Sequence, residues 1–156
     1  MYTITIMANS NPYSMGWSDP VMLHDGEGNL LWSGVGSTCP NHKRPSTGKS
    51  WKHSYGWIKD GVYNVRTEEN HYKYGKCVLI NDGGYVLARY PNVNHSGDCI
   101  LNEVFIHEGN RNSGNSLHRA SAGCPTICPQ DWQSFQEALP SGRGILIIKD
   151  VGSLSC

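Results

Sequence analysis

Histidine and cysteine together can raise and aim a sulfur nucleophile near neutral pH, and one stretch of this chain carries both. Val104-Phe-Ile-His107 is an apolar run ending in a histidine, and seventeen residues further on Ser121-Ala-Gly-Cys124 brings a glycine turn into a cysteine. An unperturbed thiol titrates near ~8.5, so only a few per cent of it is ionised at pH 7. A nucleophilic cysteine therefore needs an adjacent base to take its proton and amide donors to hold an oxyanion. His107 at a strand end is the candidate base and Cys124 the candidate nucleophile. Gly123 lets the backbone approach a substrate closely, turning its own N–H and that of Cys124 toward developing negative charge.

The rest of the chain must position these two residues, and its patterning is that of strands. Residues 2–8 alternate Tyr, Ile and Ile around polar positions, and Val21-Met-Leu-His24 is a second strand. Asp25-Gly-Glu-Gly-Asn29 makes a tight hairpin to a third strand at Leu30–Val35. Gly61–Arg66 is a further strand, and His71–Ile80 with Tyr85–Tyr90 is expected to form a hairpin across Asn81-Asp-Gly-Gly. Leu101–His107 is expected to be one continuous central strand, buried on both faces at its Val-Phe-Ile end. Pro129 suits a first helical turn, and Gln130–Leu139 places Trp132, Phe135 and Leu139 on one helical face. Ile145–Ile148 is the last strand. Seven or eight strands and one helix predict a single mainly β domain over residues 1–156, a curled or barrel-like sheet.

Composition narrows the function. The chain has 156 residues, a formal net charge of zero and only 17% charged residues. A nucleic acid or an anionic membrane surface needs a basic footprint, so neither is expected as a partner. No apolar run approaches the ~20 residues of a membrane span, so no membrane insertion is expected. The first residues read as a strand and not as a secretory signal, so export would go by lysis or a dedicated route. Six cysteines are too sparse for a disulfide scaffold, and Cys77, in Cys-Val-Leu-Ile, reads as a buried small hydrophobe. Residues 37–56 lack any period and are locally basic, which suits either a substrate-edge loop or a plain surface excursion.

His107-x-Gly109 followed by Ser121-x-Gly-Cys124 resembles the signature of the L,D-transpeptidase catalytic domain family. That signature is a strand-end histidine and glycine, a spacer of this size, and a Ser/Thr-His-Gly-Cys turn. Gly61-Val-Tyr63 upstream, and the helix and strand after the cysteine, match its context. The resemblance implies a β-sandwich or barrel with one helix after the catalytic cysteine. It implies an enzyme of the cell wall or periplasm that cuts or rebuilds peptidoglycan stem peptides at L,D bonds through a thioacyl-enzyme, without a cofactor or metal. Carried onto these positions, Cys124 attacks, His107 is the general base, the Glu108 carbonyl orients the imidazole, and the Gly123 and Cys124 amides hold the oxyanion. Ser121, Asn110, Arg111, His118 and Tyr90 are the expected substrate-side residues, Arg111 because its fork matches a carboxylate. Ala122 stands where the signature has histidine, and Pro125-Thr126 where it has a hydrophobic residue followed by Arg or Asn. The acceptor, water or an amine, is left open, as is any delivery or immunity partner.

Three other chemistries compete for the same residues. Cys39-x-x-His42, or Cys124 and Cys128 with His107 and His118, have spacings that zinc could use. Trp17, Trp51, Tyr55, Trp57, Tyr72 and Tyr74 could stack on sugars in a non-catalytic wall- or protein-binding module. A redox pair at Cys124 and Cys128 lacks the Cys-x-x-Cys spacing.

Overall fold

The computed structural model of the chain describes residues 1–8, 19–38, 57–89, 98–109 and 124–150. Within them, period-two burial sets the strands. β1 (Tyr2–Ala8) buries Tyr2, Ile4, Ile6 and Ala8, while the residues between stay partly exposed. It pairs antiparallel with β2 (Asp19–His24), which turns through the Asp25–Asn29 hairpin into β3 (Leu30–Ser37). Asp25 closes that turn by accepting the amides of Glu27 and Asn29 at 2.9 Å each. β1 also pairs in parallel with the last strand, β11 (Arg143–Asp150). β11 runs antiparallel to β5 (Gly61–His71), which turns back into β6 (Gly75–Ile80).

The ring closes through two short strands. β9 (Phe105–Glu108) lies antiparallel to β6 and parallel to β10 (Thr126–Ile127), and β10 pairs antiparallel with β3. The result is a closed eight-stranded barrel in the order β1-β11-β5-β6-β9-β10-β3-β2. Closure leaves no free edge on that sheet. Ile4, Ile6, Val21, Leu23, Val78, Ile106, Ile127 and Leu146 belong to one buried cluster. The helix α1 (Pro129–Ala138) starts at Pro129 and adds Trp132, Phe135 and Leu139 to the same cluster. Asp131 in its first turn accepts the Val35 amide at 3.1 Å, and Trp32 donates to Ser134 Oγ at 2.9 Å, so the helix is tied to β3.

Two expectations are corrected. The hairpin across residues 81–84 does not exist. β6 stays in the barrel, whereas β7 (Val86–Arg89) joins β4 (Trp57–Ile58) and β8 (Asp98–Leu101) in a separate three-stranded sheet. The cause is the 3-10 turn at Asn81–Gly83, with φ of 52° at both Asn81 and Asp82 and 81° at Gly83. Three left-handed residues in a row carry the chain away from its own strand, where a two-residue hairpin loop would return it. The real partner of β6 is β5, across Tyr72-Lys73-Tyr74. The continuous strand over 101–107 is likewise broken. Glu103 takes φ 51°, which ends β8 at Leu101 and starts β9 afresh at Phe105. The strands at 2–8, 21–24 and 30–35 and the helix stand where the sequence puts them.

Candidate active site

β9 places its residues by alternation. Ile106 faces the barrel core with 0% exposure, so Phe105 and His107 face the other way. β6 pairs with β9 through Val78 with Ile106 and Leu79 with Phe105. On the other side, Thr126 is paired with His107, and Ser37 with Thr126. Ser37, Thr126 and His107 thus form one row across three strands, and all three are buried.

His107 is 4% exposed because the turn between β5 and β6 covers it. The Tyr74 ring lies almost parallel to the imidazole, with 4.3 Å between centroids and 8° between planes. His71 stacks on the other face of Tyr74 at 4.9 Å and 14°, and touches Phe105 at 4.7 Å. His71 also holds the turn together, since its Nδ1 accepts the amides of Lys73 and Tyr74 at 3.1 and 3.2 Å. Gly75, at φ 66°, is the left-handed residue that lets the turn re-enter the sheet.

The tautomer of His107 follows from its partner. Nδ1 lies 2.7 Å from the carbonyl oxygen of Glu108. A carbonyl only accepts, so Nδ1 carries the hydrogen and Nε2 keeps its lone pair in the neutral ring. Burial holds the imidazole below its ordinary value; the Glu108 carbonyl opposes this, while Lys73 and His71 push the same way as burial. The ring is therefore a neutral base at neutral pH.

Cys124 is partly exposed, immediately before β10. Its Sγ accepts the Phe105 amide at 3.4 Å. Around it, the backbone is sewn by His107 N to Pro125 O at 3.3 Å and Gly109 N to Ile127 O at 2.9 Å. His107 pairs with Thr126 of β10, and Cys124, two residues before Thr126, meets β9 at the Phe105 amide. Burial pushes the thiol up from its ordinary value, and the Phe105 amide and Lys73 pull it back in part. The resting pair is thiol and neutral imidazole, which differs from the preformed thiolate that a His–Cys pair suggests.

The described residues include Cys124, His107 and Glu108, and the Glu108 carbonyl oxygen accepts from the His107 ring at 2.7 Å. Gly123, Ser121, Asn110, Arg111, His118 and Tyr90 lie outside the described residues, as do Cys39 and His42. Cys77, Cys124 and Cys128 carry free thiols. Among the described residues no cluster of three or more His, Cys, Asp or Glu side chains could hold a metal ion. Nor does any described helix have the length and apolarity to cross a membrane.

Sequence reasoning missed His71, Lys73 and Phe105, and it offered Tyr74 only as a sugar-stacking aromatic. The signal was His71-Tyr-Lys-Tyr-Gly75, an aromatic turn closed by a glycine, which reads as strand unless its partner strand is known. This turn and Phe105 line an open cleft of about 620 Å³ together with Leu79, Asp82, Gly83 and Glu103. The cleft abuts His107 through Tyr74 and Cys124 through Phe105. Comparison with protein-family models, curated proteins and solved structures returns no match to this chain.

Proposed function

We propose that the chain is a cysteine-dependent enzyme of peptidoglycan, acting at L,D peptide bonds of stem peptides through a thioacyl-enzyme. The observation that carries this reading is the tie of His107 Nδ1 to the Glu108 carbonyl, in a buried imidazole on β9, the strand whose Phe105 amide donates to Cys124 Sγ. It supplies a neutral base with Nε2 as its acceptor and a thiol that is held in place and still reachable.

Cys124 adds to the peptide carbonyl as its proton passes to His107 Nε2. The C–N bond then breaks, and the proton goes to the leaving amine. Water, or an amine in an exchange reaction, adds to the thioester and gives its proton to Nε2. The C–S bond breaks, and the sulfur regains the proton. The Gly123 and Cys124 amides hold the oxyanion in both halves, and Ser121, Asn110, Arg111, His118 and Tyr90 face the substrate. No cofactor takes part. Because thiol and imidazole are both neutral at rest, proton transfer accompanies attack and does not precede it.

The test is mass spectrometry of defined tetra- and pentapeptide muropeptides incubated with the protein. Cys124→Ala should abolish processing, and His107→Ala should lower it by roughly 10²–10⁴-fold, the range for a general base. Unchanged processing by Cys124→Ala would sink the proposal, and wall binding without turnover would favour a binding module.

A further inference from the structure

A second cavity opens where the start of β5, in the barrel, meets β7 of the three-stranded sheet. It holds about 440 Å³, within the range of sites for small ligands. Alternation along β7 buries Val86 and Ala88 and turns Leu87 outward, 58% exposed. Val62 and Tyr85 line the same cavity and are 70% and 76% exposed. Ile100, the cross-strand partner of Leu87, is 56% exposed. Solvent-facing apolar side chains gathered at a cavity, with polar groups among them, mark a binding surface.

The polar groups narrow the ligand. Asn81 Nδ2 donates to the Tyr85 carbonyl at 3.1 Å, which leaves Oδ1 open as an acceptor. The Tyr63 hydroxyl donates to the Lys59 carbonyl at 2.5 Å, so this tyrosine is held as a wall. Asp60 is exposed and has no hydrogen-bond or ion-pair partner among the described residues. Two open acceptors thus stand beside an exposed tyrosine ring and two aliphatic side chains. Lys59 and Asp60 bring opposite charges to the rim, so no net field selects an anion or a cation. A matching ligand is uncharged, donates from hydroxyls and carries an apolar face. A purely apolar ligand would leave both acceptors unpaired. A pyranose meets all three requirements, with its C–H face against the electron-rich face of an aromatic ring.

We infer that this cavity binds an N-acetylhexosamine unit of a glycan strand, with the sugar face on Tyr85, its hydroxyls on Asp60 and Asn81, and its acetyl methyl against Val62 and Leu87. Cys124 is no part of this site. The peptidoglycan reading above enters only in the choice of glycan, whose repeating sugars are N-acetylated.

The experiment is calorimetric titration of the full chain with the linear trisaccharide of N-acetylglucosamine, which should bind saturably. Tyr85→Ala should weaken binding by roughly 3–10-fold, the loss of one aromatic contact, while Tyr85→Phe should bind as the wild type does. Asp60→Asn should weaken it by roughly 5–10-fold, the loss of a charge-assisted bond. The matching glucose trisaccharide, without the acetyl methyl, should bind about 3–4-fold more weakly. Tyr85 and Asp60 are both exposed, so the variants should keep the wild-type melting temperature. No saturable binding, or binding that neither Tyr85→Ala nor Asp60→Asn weakens, overturns the proposal. Equal binding of the two trisaccharides overturns the N-acetyl assignment. Sedimentation equilibrium tests the other occupant: a dimer that Tyr85→Ala splits would give this surface to a second copy of the chain and overturn the sugar site. Trisaccharide binding by a protein that turns over no muropeptide upholds the site and rejects only the thioacyl reading.

Discussion

Removing the aromatic cover over His107 should raise its affinity for a proton and cost the fold stability at the same time. Tyr74 contributes two stacked faces, one to His107 at 4.3 Å and one to His71 at 4.9 Å. Each stack is worth about 0.5–1.5 kcal/mol beyond area burial, so the two together make Tyr74→Ala destabilising by about 1–3 kcal/mol. At ~2–4 °C per kcal/mol for a chain of this size, the melting temperature should fall by roughly 2–12 °C. Tyr74→Phe keeps both stacks and is the control. The linked effect is on pH. Burial holds His107 below its ordinary 6.5 in the folded protein. The folded state then binds fewer protons than the unfolded state, so this contribution is complete above 6.5 and is lost as pH falls from 6.5 toward the folded value. One such group changes stability by at most about 1.4 kcal/mol per pH unit. Tyr74→Ala admits water to the ring, so its pKa should climb back toward 6.5 and this part of the pH dependence should flatten. Denaturant midpoints between pH 5 and 8, with the His107 ring proton followed by NMR, read both quantities. A wild-type His107 titrating at or above 6.5, or one that Tyr74→Ala does not move, would refute the reasoning.

Two further outcomes test the frame around the pair. A Cβ on Gly36 would lie 2.5 Å from the backbone oxygen of Thr126, so Gly36→Ala must push β10 off β3. It should cost about 1–3 kcal/mol in denaturant midpoint and alter the alkylation rate of Cys124, whose position depends on β10. Cys77 has 0% exposure, and burial pushes its thiol to about 12. Iodoacetamide at pH 8 should therefore leave Cys77 intact in the folded protein and modify it only in denaturant; peptide mapping that finds Cys77 labelled natively as fast as Cys124 contradicts this.

The fold was legible where one face of an element decides its burial. β1 alternates Tyr2, Ile4 and Ile6 toward the core, and α1 has Pro129 at its first turn with Trp132 and Phe135 on one face. Local chemistry settles such elements. It failed at residues 81–84, because Asn-Asp-Gly-Gly suits both a hairpin and the left-handed 3-10 turn that forms. Which one wins depends on whether β6 gains more from β5 and β9 than from β7, and that is a tertiary choice. β10 was beyond reach for a different reason. Two residues, Thr126 and Ile127, carry no period, and they are a strand because β3 and β9 leave a gap of one strand's width between them.

The candidate site divides along the same line. His107 and Cys124 announce themselves by type, and the Glu108 carbonyl by its place directly after the histidine. The residues that give the pair its electrostatic character do not, because they reach it through strand pairing. Tyr74 covers His107 only because β5 and β6 form a hairpin whose turn folds over β9, and Phe105 holds Cys124 only because β10 runs parallel to β9. That covering explains why the pair rests neutral. A thiolate–imidazolium pair needs solvent or fixed dipoles around both charges, and here the imidazole is stacked beneath an aromatic ring while burial of the sulfur outweighs the help of the Phe105 amide and Lys73. The neutral pair avoids the larger cost of holding two charges in an apolar setting. On the proposed thioacyl reading, it becomes reactive when a substrate carbonyl meets the sulfur and the charge that develops there passes directly to the oxyanion.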